Sequence, residues 1–235
     1  MLKNRKILVT GSSNGIGKSI SKFLLKAGAQ VIGIARDHSK FQPKNTNYFD
    51  YKIDLSNKEN LEKIILNILS KHKNIDGFVS SAGYGLFGNL ETFSSVDISN
   101  YIFTNLTSPI IITSQIVSRF KKQKKGNIIF IGSDSALVGG KNGSIYSAAK
   151  FGLRGFSQSI RKECSSKNIH VSLINPGMVR TTFFKNKNFQ PGDEKTNAIE
   201  PDDIAQLVIN ILSMREGSVI DEINLSPLKK VIKFL

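Results

Sequence analysis

The sequence has little cysteine, little proline and no long hydrophobic run, and each shortage excludes a class of protein. One cysteine in 235 residues, Cys164, excludes a disulfide framework and a cysteine-rich zinc or iron–sulfur site. The longest apolar stretches, such as 128–131, are far shorter than the ~20 residues that a membrane span needs. Six prolines and the lack of a low-complexity tract argue against long disorder. We expect a cytoplasmic protein without a signal peptide, because the apolar stretch before the first Gly/Ser turn is short.

Signals for metal binding and for serine hydrolysis are also missing. None of the three histidines, His38, His72 and His170, has a partner at metal-ligand spacing, so no metal site is predicted. The one Gly-x-Ser-x-Gly match, residues 11–15, lies within the longer glycine-rich segment 10–17 described below, so serine hydrolysis is not favoured. Cys164 is expected to be a small packed residue.

Acidic residues are few, and the net charge is +15. Such a charge suits a nucleic acid, an acidic protein partner or a phosphorylated ligand. The basic residues are mostly lysine, 26 against 7 arginines, whereas bidentate recognition of phosphates and bases depends on arginine. We therefore expect a solvated basic surface and no nucleic-acid partner.

Strand-like and helix-like segments alternate along the chain without a linker or a repeat, which predicts one α/β domain over residues 1–235. Short apolar strands between helices are typical of a doubly wound parallel sheet covered by helices on both faces. A capping box of Ser56 and Glu59 is expected to begin a helix, and Pro109 is a candidate interruption of the helical stretch 95–125. For the tail 229–235, a docked or frayed end is favoured over a basic membrane anchor. The strands are predicted at 6–10, 30–35, 48–53, 75–80, 127–131, 170–174 and near 219–223.

A glycine-rich segment, residues 10–17, connects the first predicted strand and helix. Gly11, Gly15 and Gly17 permit a tight turn and close backbone approach to a pyrophosphate, although a plain strand–helix connection can look the same. Its position favours dinucleotide binding. The second strand ends at Arg36, a candidate ligand for the 2′-phosphate of NADP(H), whereas Asp37 would favour NAD(H) if the strand ended one residue later.

Tyr146 and Lys150 stand at i and i+4 of a predicted helix, which places a phenol and an ammonium on one face. The same spacing at Tyr48 and Lys52 lies in a predicted strand, where the side chains would not pair this way. Ser133, just after the fifth strand, lies 13 residues before Tyr146 and completes a candidate hydroxyl–phenol–amine group.

These motifs, together with Asn-Pro-Gly-Met-Val-Arg-Thr at 175–181, resemble the short-chain dehydrogenase/reductase family along nearly the whole chain. The resemblance implies a seven-stranded Rossmann sheet, a homodimer or homotetramer, and a small-molecule carbonyl or alcohol substrate. Asn105 matches the active-site asparagine of the family, and Asp54-Leu55 its adenine-contacting pair. The cofactor contacts that it implies are Gly11, Ser13, Asn14, Gly15, Ile16, Gly17, Arg36, Asp54, Leu55, Ala82, Gly83, Tyr146, Lys150, Pro176, Gly177, Val179 and Thr181.

The resemblance also implies roles for the four catalytic candidates. Tyr146 would exchange a proton with the substrate oxygen, its pKa lowered by Lys150 and by the oxidised nicotinamide. Ser133 would orient that oxygen, Lys150 would also hold the nicotinamide ribose, and Asn105 would fix a water that links Lys150 to solvent.

Two positions depart from the family pattern. Ser80 and Ser81 replace an Asn-Asn pair, which questions local packing and cofactor affinity, although Ser81 could still donate a hydrogen bond. Gly132 replaces a frequent serine, a change that we expect to be tolerated.

The substrate is expected between the loops 83–89, 135–143 and 182–199. Phe183, Phe184 and Phe189 stand among lysines in the third loop, which suits either a lid over an apolar, anionic substrate or an ordinary mobile loop. We expect NADP(H) rather than NAD(H), and a 3-hydroxy/3-oxo acid or related small carbonyl as substrate. The alternatives are a 3-oxoacyl-(acyl-carrier-protein) reductase, which a basic surface suits, and a non-catalytic NADP-binding regulator.

Overall fold

The computed structural model describes residues 2–235, and a seven-stranded parallel sheet forms its centre. The strands are β1 (Lys6–Thr10), β2 (Gln30–Ala35), β3 (Tyr48–Lys52), β4 (Gly77–Ser80), β5 (Gly126–Ile131), β6 (Ile169–Pro176), β7 (Phe189–Pro191), β8 (Glu222–Leu225) and β9 (Ile232–Phe234). The sheet has the order β3-β2-β1-β4-β5-β6-β8, and β7 and β9 form a separate antiparallel pair. The predicted α/β class and the seven-stranded parallel sheet are confirmed.

Helices cover both faces of the sheet because consecutive strand residues point to opposite sides. The helices are α1 (Gly15–Lys26), α2 (Leu61–Lys71), α3 (Ser95–Ile102), α4 (Ser108–Gln123), α5 (Ser144–Cys164) and α6 (Pro201–Leu212). In β5, Ile128 and Phe130 pack with α2, α4 and α5, whereas Ile129 and Ile131 pack with α1 and α6. Cys164 is fully buried in the first of these two cores, as expected. Within residues 2–235, no helix has the length and apolarity that crossing a bilayer requires.

The helix after β3 begins later than predicted. It begins at Leu61, not at Ser56, whose N–H and hydroxyl both bind the Asp54 carboxylate at 2.9 and 2.8 Å. The capping-box prediction was wrong because a nearer acceptor, Asp54, engages the Ser56 donors in a turn of their own.

The stretch 95–125 is interrupted before Pro109, by one π-helical turn over Phe103–Thr107. Pro109 lies in the first turn of α4, where its missing N–H costs nothing. The last strand of the main sheet is Glu222–Leu225, three residues later than predicted.

The tail pairs with a segment that the sequence analysis had placed in a loop. Phe189, Gln190 and Pro191 of β7 lie opposite Phe234, Lys233 and Ile232 of β9. The end of the chain is therefore docked on the third predicted substrate loop.

Candidate active site

A cleft of about 1130 Å³ lies at the carboxyl ends of the parallel strands. This is where open α/β sheets bind ligands, because the loops after the strands converge there. Every predicted catalytic and cofactor residue lines this one cleft: Gly11, Ser13, Asn14, Gly15, Ile16, Gly17, Arg36, Asp54, Leu55, Ala82, Gly83, Asn105, Ser133, Tyr146, Lys150, Pro176, Gly177, Val179 and Thr181.

The glycine-rich turn provides a phosphate-sized cradle at the start of α1. Gly11 has φ +70°, and a Cβ there would lie 3.0 Å from the backbone of Ala82. A Cβ at Gly17 would lie 2.3 Å from the carbonyl oxygen of Gly11, so helix and strand meet as closely as backbone allows. Asn14 caps α1 by accepting the N–H of Gly15 at 2.9 Å. The N–H groups that follow Gly15 in the first turn of α1 face an anion at the helix N-terminus, and the turn fits a pyrophosphate.

The far end of the cleft carries basic groups and one occupied carboxylate. Arg36 and Lys40 line it together with Asp37. The Asp37 carboxylate accepts the N–H of Ser39 at 2.8 Å and its hydroxyl at 2.7 Å, and these bonds lower the pKa of Asp37. The N–H of Ser56 holds the pKa of Asp54 low, and the charge of Arg36 adds to this effect. A phosphate bound at this end, in addition to the pyrophosphate at the glycine-rich turn, would therefore meet the cations Arg36 and Lys40. The neighbouring Asp37 carboxylate is already hydrogen-bonded to Ser39.

Thr10 compensates for the unusual Ser80-Ser81 sequence after β4. Its hydroxyl oxygen accepts the N–H groups of Ser81 and Ala82 at 3.1 and 3.2 Å, which ties the turn to β1. The Ser81 hydroxyl is buried and has no partner within residues 2–235, so the hydrogen bond expected from it does not form.

Asn105 lies in the π-helical turn and is almost fully buried. Its amide nitrogen donates to the carbonyl of Tyr101 at 3.0 Å, and its oxygen accepts the N–H of Tyr84 at 3.1 Å. The side chain is thus committed to fixing the loop after β4, and a π turn of this kind is frequent at functional sites.

Ser133, Tyr146 and Lys150 meet at the floor of the cleft. Ser133 follows β5, while Tyr146 and Lys150 lie on one face in the first two turns of α5. The Lys150 Nζ lies 5.9 Å from the centre of the Tyr146 ring and donates to the carbonyl of Ile131 at 3.1 Å. The Ser133 hydroxyl donates to the Asp134 carboxylate at 3.1 Å.

Burial sets the proton affinities of this group. It raises the pKa of Tyr146 to about 12, against the opposing effect of the Ser133 hydroxyl and with a smaller contribution from the charge of Asp134. It lowers the pKa of Lys150 to about 8. The expected lowering of the Tyr146 pKa by Lys150 is therefore not found in the protein alone, because desolvation of the phenolate is the largest effect on this pKa.

Aromatic rings form the wall next to Tyr146. The Phe87 ring centre lies 5.0 Å from that of Tyr146, 5.1 Å from Phe189 and 6.2 Å from Phe183. Lys187 donates to the carbonyl of Gly85 at 2.9 Å and joins the two loops that carry these rings. The predicted loops 83–89 and 182–199 thus border the cleft, whereas of the loop 135–143 only Ser135 lines it.

Two residues of the tail, Lys230 and Ile232, also line the cleft, and the sequence analysis did not place them there. The sequence Lys-Lys-Val-Ile-Lys-Phe-Leu at 229–235 lacks the strict alternation of apolar and polar residues that predicts a strand. Nothing local in it identifies the partner β7.

Comparison with known proteins agrees with this geometry. The family profile described as short chain dehydrogenase matches residues 5–192. A 3-oxoacyl-(acyl-carrier-protein) reductase of Buchnera aphidicola is 33% identical over 191 residues, covering 80% of this chain and 78% of its own.

Solved structures match along almost the full chain. A metagenomic short-chain oxidoreductase in complex with NADP is 28% identical, with a TM-score of 0.83 over 96% of this chain and 98% of its own. A 4-hydroxyisoleucine dehydrogenase mutant complexed with NADH and succinate has a TM-score of 0.85 at 23% identity, covering 95% of this chain and 97% of its own, which shows a shared fold. The chain belongs to the short-chain dehydrogenase/reductase family, oxidoreductases that use an NAD(P) cofactor and act on CH–OH groups.

Proposed function

We propose that this protein interconverts a carbonyl compound and its alcohol with NADP(H), and that Tyr146 is the general acid and base. The observation that carries the proposal is the meeting of Ser133, Tyr146 and Lys150 at the floor of the cleft that begins at the glycine-rich cradle. A 3-hydroxy/3-oxo acid or a related small carbonyl compound is the proposed substrate.

An NAD(P) cofactor held by the glycine-rich turn and Lys150 would supply the hydride for reduction of the carbonyl carbon, and would accept it in the reverse direction. During reduction the Tyr146 phenol, neutral at physiological pH with its pKa near 12, donates its proton to the carbonyl oxygen. The Ser133 hydroxyl turns its one hydrogen from the Asp134 carboxylate to the same oxygen and orients it.

Lys150 restores the proton that Tyr146 has lost. Its pKa of about 8 lets it release and regain a proton near neutral pH, which an ordinary lysine does not do. Lys150 also binds the hydroxyls of the nicotinamide ribose. The bonds to Tyr101 and Tyr84 use one N–H and one oxygen lone pair of the Asn105 amide, so Asn105 keeps a donor and an acceptor with which it would fix the water that links Lys150 to solvent.

The test of this mechanism is Tyr146→Phe. We expect turnover to fall by about 10²–10⁴-fold, the usual worth of a positioned acid or base, while NADPH fluorescence still reports binding. Tyr51→Phe is the control, because the Tyr51 hydroxyl binds His72 at 2.8 Å on the outer strand β3, away from the cleft. Retained turnover in Tyr146→Phe would contradict the proposal.

The preference for NADP(H) follows from the cations at the far end of the cleft. Arg36 and Lys40 suit a 2′-phosphate. The Asp37 carboxylate, which would favour NAD(H), is already hydrogen-bonded to Ser39. Arg36→Ala is expected to weaken NADPH binding by about 10- to 100-fold with little effect on NADH, as measured by titration at fixed ionic strength. Tighter NADH than NADPH binding by the unaltered protein would instead favour the Asp37 interpretation.

A second candidate function is the reduction of 3-oxoacyl groups on an acyl-carrier protein. The Buchnera relative and the net charge of +15, which suits an acidic carrier, favour it. A 3-oxoacyl thioester should then be reduced far faster on the carrier protein than on a small thiol, and only the first rate should fall steeply with salt. Tight NADPH binding without turnover of any carbonyl compound would instead indicate a non-catalytic regulator.

The wider setting of the enzyme is proposed on the same basis. Residues 1–235 act as one domain, and copies associate as a homodimer or homotetramer through the helices of 95–125 and 144–165, which light scattering would test. A buried single cysteine needs no oxidising compartment, which supports a cytoplasmic location.

A further inference from the structure

The tail, residues 229–235, forms part of the wall of the catalytic cleft. β9 pairs with β7, and backbone bonds continue on both sides of that pair. The Gly192 N–H donates to the Val231 carbonyl at 3.0 Å on one side, and the Leu235 N–H donates to the Asn188 carbonyl at 2.9 Å on the other. This pairing fixes the path of the tail and places Lys230 and Ile232 against the cleft.

The Asp134 carboxylate connects Lys230 to the Ser133 hydroxyl, the proposed catalytic group. The Lys230 Nζ is 3.1 Å from Oδ2 of Asp134, and Oδ1 of the same carboxylate accepts the Ser133 hydroxyl at 3.1 Å. An ammonium has three donors, and only one of them is used here. The Lys230 side chain is 64% exposed, so the other two donors can reach a ligand in the cleft.

Positive charge predominates at this end of the cleft. Lys185, Lys187 and Lys230 line it, while the other two lining aspartates, Asp37 and Asp54, follow β2 and β3 at the opposite end. Asp134 is the acidic residue nearest to Ser133, and Lys230 neutralises it. The rest of the wall is aromatic, and a carboxylate entering such a wall needs a cation to replace its water.

We propose that Lys230 is a specificity-determining residue, which binds the carboxylate of a substrate that also carries the reacting carbonyl or hydroxyl group and an apolar body. Pairing with Asp134 holds the ammonium next to the Ser133 hydroxyl, and Lys187 reinforces the positive field from the opposite loop. The inference rests on the proposed function for the reacting end of the substrate, whereas binding of the carboxylate can be measured without any reaction.

A purely structural ion pair between Lys230 and Asp134 is the competing interpretation. Exposed pairs contribute little to stability, and their loss has no reason to depend on the charge of a substrate. The test therefore compares ligands that differ only in charge.

Lys230→Met is compared with Lys233→Met, which removes the same charge from the same tail. The Lys233 side chain pairs with Asp193 at 2.7 Å and does not line the cleft. Calorimetry measures the binding of benzoate and of neutral benzamide to the protein loaded with NADP⁺, and NADPH consumption is followed with 4-carboxybenzaldehyde and its methyl ester.

Benzoate should bind the unaltered protein more tightly than benzamide. In Lys230→Met the benzoate affinity and the kcat/KM for the carboxylate substrate should fall by about 10- to 100-fold, the usual worth of a hydrogen bond between charged groups. The neutral compounds should change less than about threefold, Lys230→Arg should recover most of the loss, and Lys233→Met should behave as the unaltered protein.

Equal losses for charged and neutral compounds, no loss, or no preference for benzoate in the unaltered protein would each overturn the inference. Tyr146→Phe separates the two proposals: it should lose turnover and keep the preference for benzoate. If that variant still turns over while Lys230→Met loses benzoate binding, the proposed mechanism fails and the carboxylate site remains.

Discussion

Replacing the buried amine of Lys150 with a methionine should make the protein more stable at neutral pH, by an amount that disappears in alkali. The Lys150 side chain is 9% exposed, and burial lowers its pKa from 10.5 to about 8. The folded state binds the Lys150 proton less tightly than the unfolded chain does. The free energy of unfolding is therefore reduced at every pH at which the amine is protonated. The penalty is therefore complete below pH 8 and is lost as the pH rises to about 10.5.

The pKa change sets the size of the effect. At about 1.36 kcal/mol for each pKa unit, the difference between about 8 and 10.5 corresponds to about 3 kcal/mol. The free energy of unfolding of Lys150→Met, minus that of the unaltered protein, should thus fall by about 3 kcal/mol between pH 7.5 and 10.5. Tyr146 stays protonated in the folded protein, since its pKa there is near 12, and its ionisation in the unfolded chain is common to both proteins and cancels in the difference.

The assay is urea unfolding of the cofactor-free protein at several pH values and constant ionic strength. Taking the difference between two proteins cancels the titration of the other lysines, and Lys122→Met, an exposed position on α4, is the control with no expected slope. A pH-independent difference for Lys150→Met would refute the claim that burial controls this amine. It would also remove the reason for assigning it the proton exchange with Tyr146.

Two glycine substitutions test the close contacts around the cleft. Gly17→Ala should destabilise the protein by about 1–3 kcal/mol and abolish NADPH binding, because its Cβ would lie 2.3 Å from the Gly11 carbonyl oxygen. Urea unfolding measures the first effect and fluorescence titration the second. Unchanged NADPH binding would contradict the assignment of the glycine-rich turn as the pyrophosphate site. Gly132→Ser, which restores the frequent family residue, should also destabilise by about 1–3 kcal/mol, because a Cβ there would lie 2.2 Å from Oδ1 of Asn175. Asn175→Ala should recover part of that loss when combined with Gly132→Ser, and a neutral single substitution would show that Asn175 moves freely.

The parts of the site that the sequence predicted are those set by local geometry. Gly11 and Gly17 must lack side chains where strand and helix meet, and Tyr146 and Lys150 share a face because of helical periodicity. Both facts can be read within a few residues of sequence.

The errors arose where two local interactions compete or where the partner is distant. Ser56 has the sequence of a helix cap, yet Asp54 is the nearer acceptor. The close approach of Asn175 to Gly132 has no local sign in the sequence, because only the folded sheet brings the two together. The tail carries no local sign of β7, which lies about forty residues earlier in the chain and pairs with it only in the folded molecule.

The π-helical turn at Phe103–Thr107 joins two helices with different tasks. α3 directs Tyr101 towards the cluster around Tyr146, while α4 directs Ile112 and Ile116 into the core beneath the sheet. An α-helix rotates by about 100° per residue, and the π turn absorbs about one residue's share of that rotation. The same residues wound as an uninterrupted α-helix would therefore swing both isoleucines away from that core. The irregular turn thus corrects the helical rotation between α3 and α4. Its consequence is that one continuous helical segment borders the catalytic cleft along its first half and the hydrophobic interior along its second half.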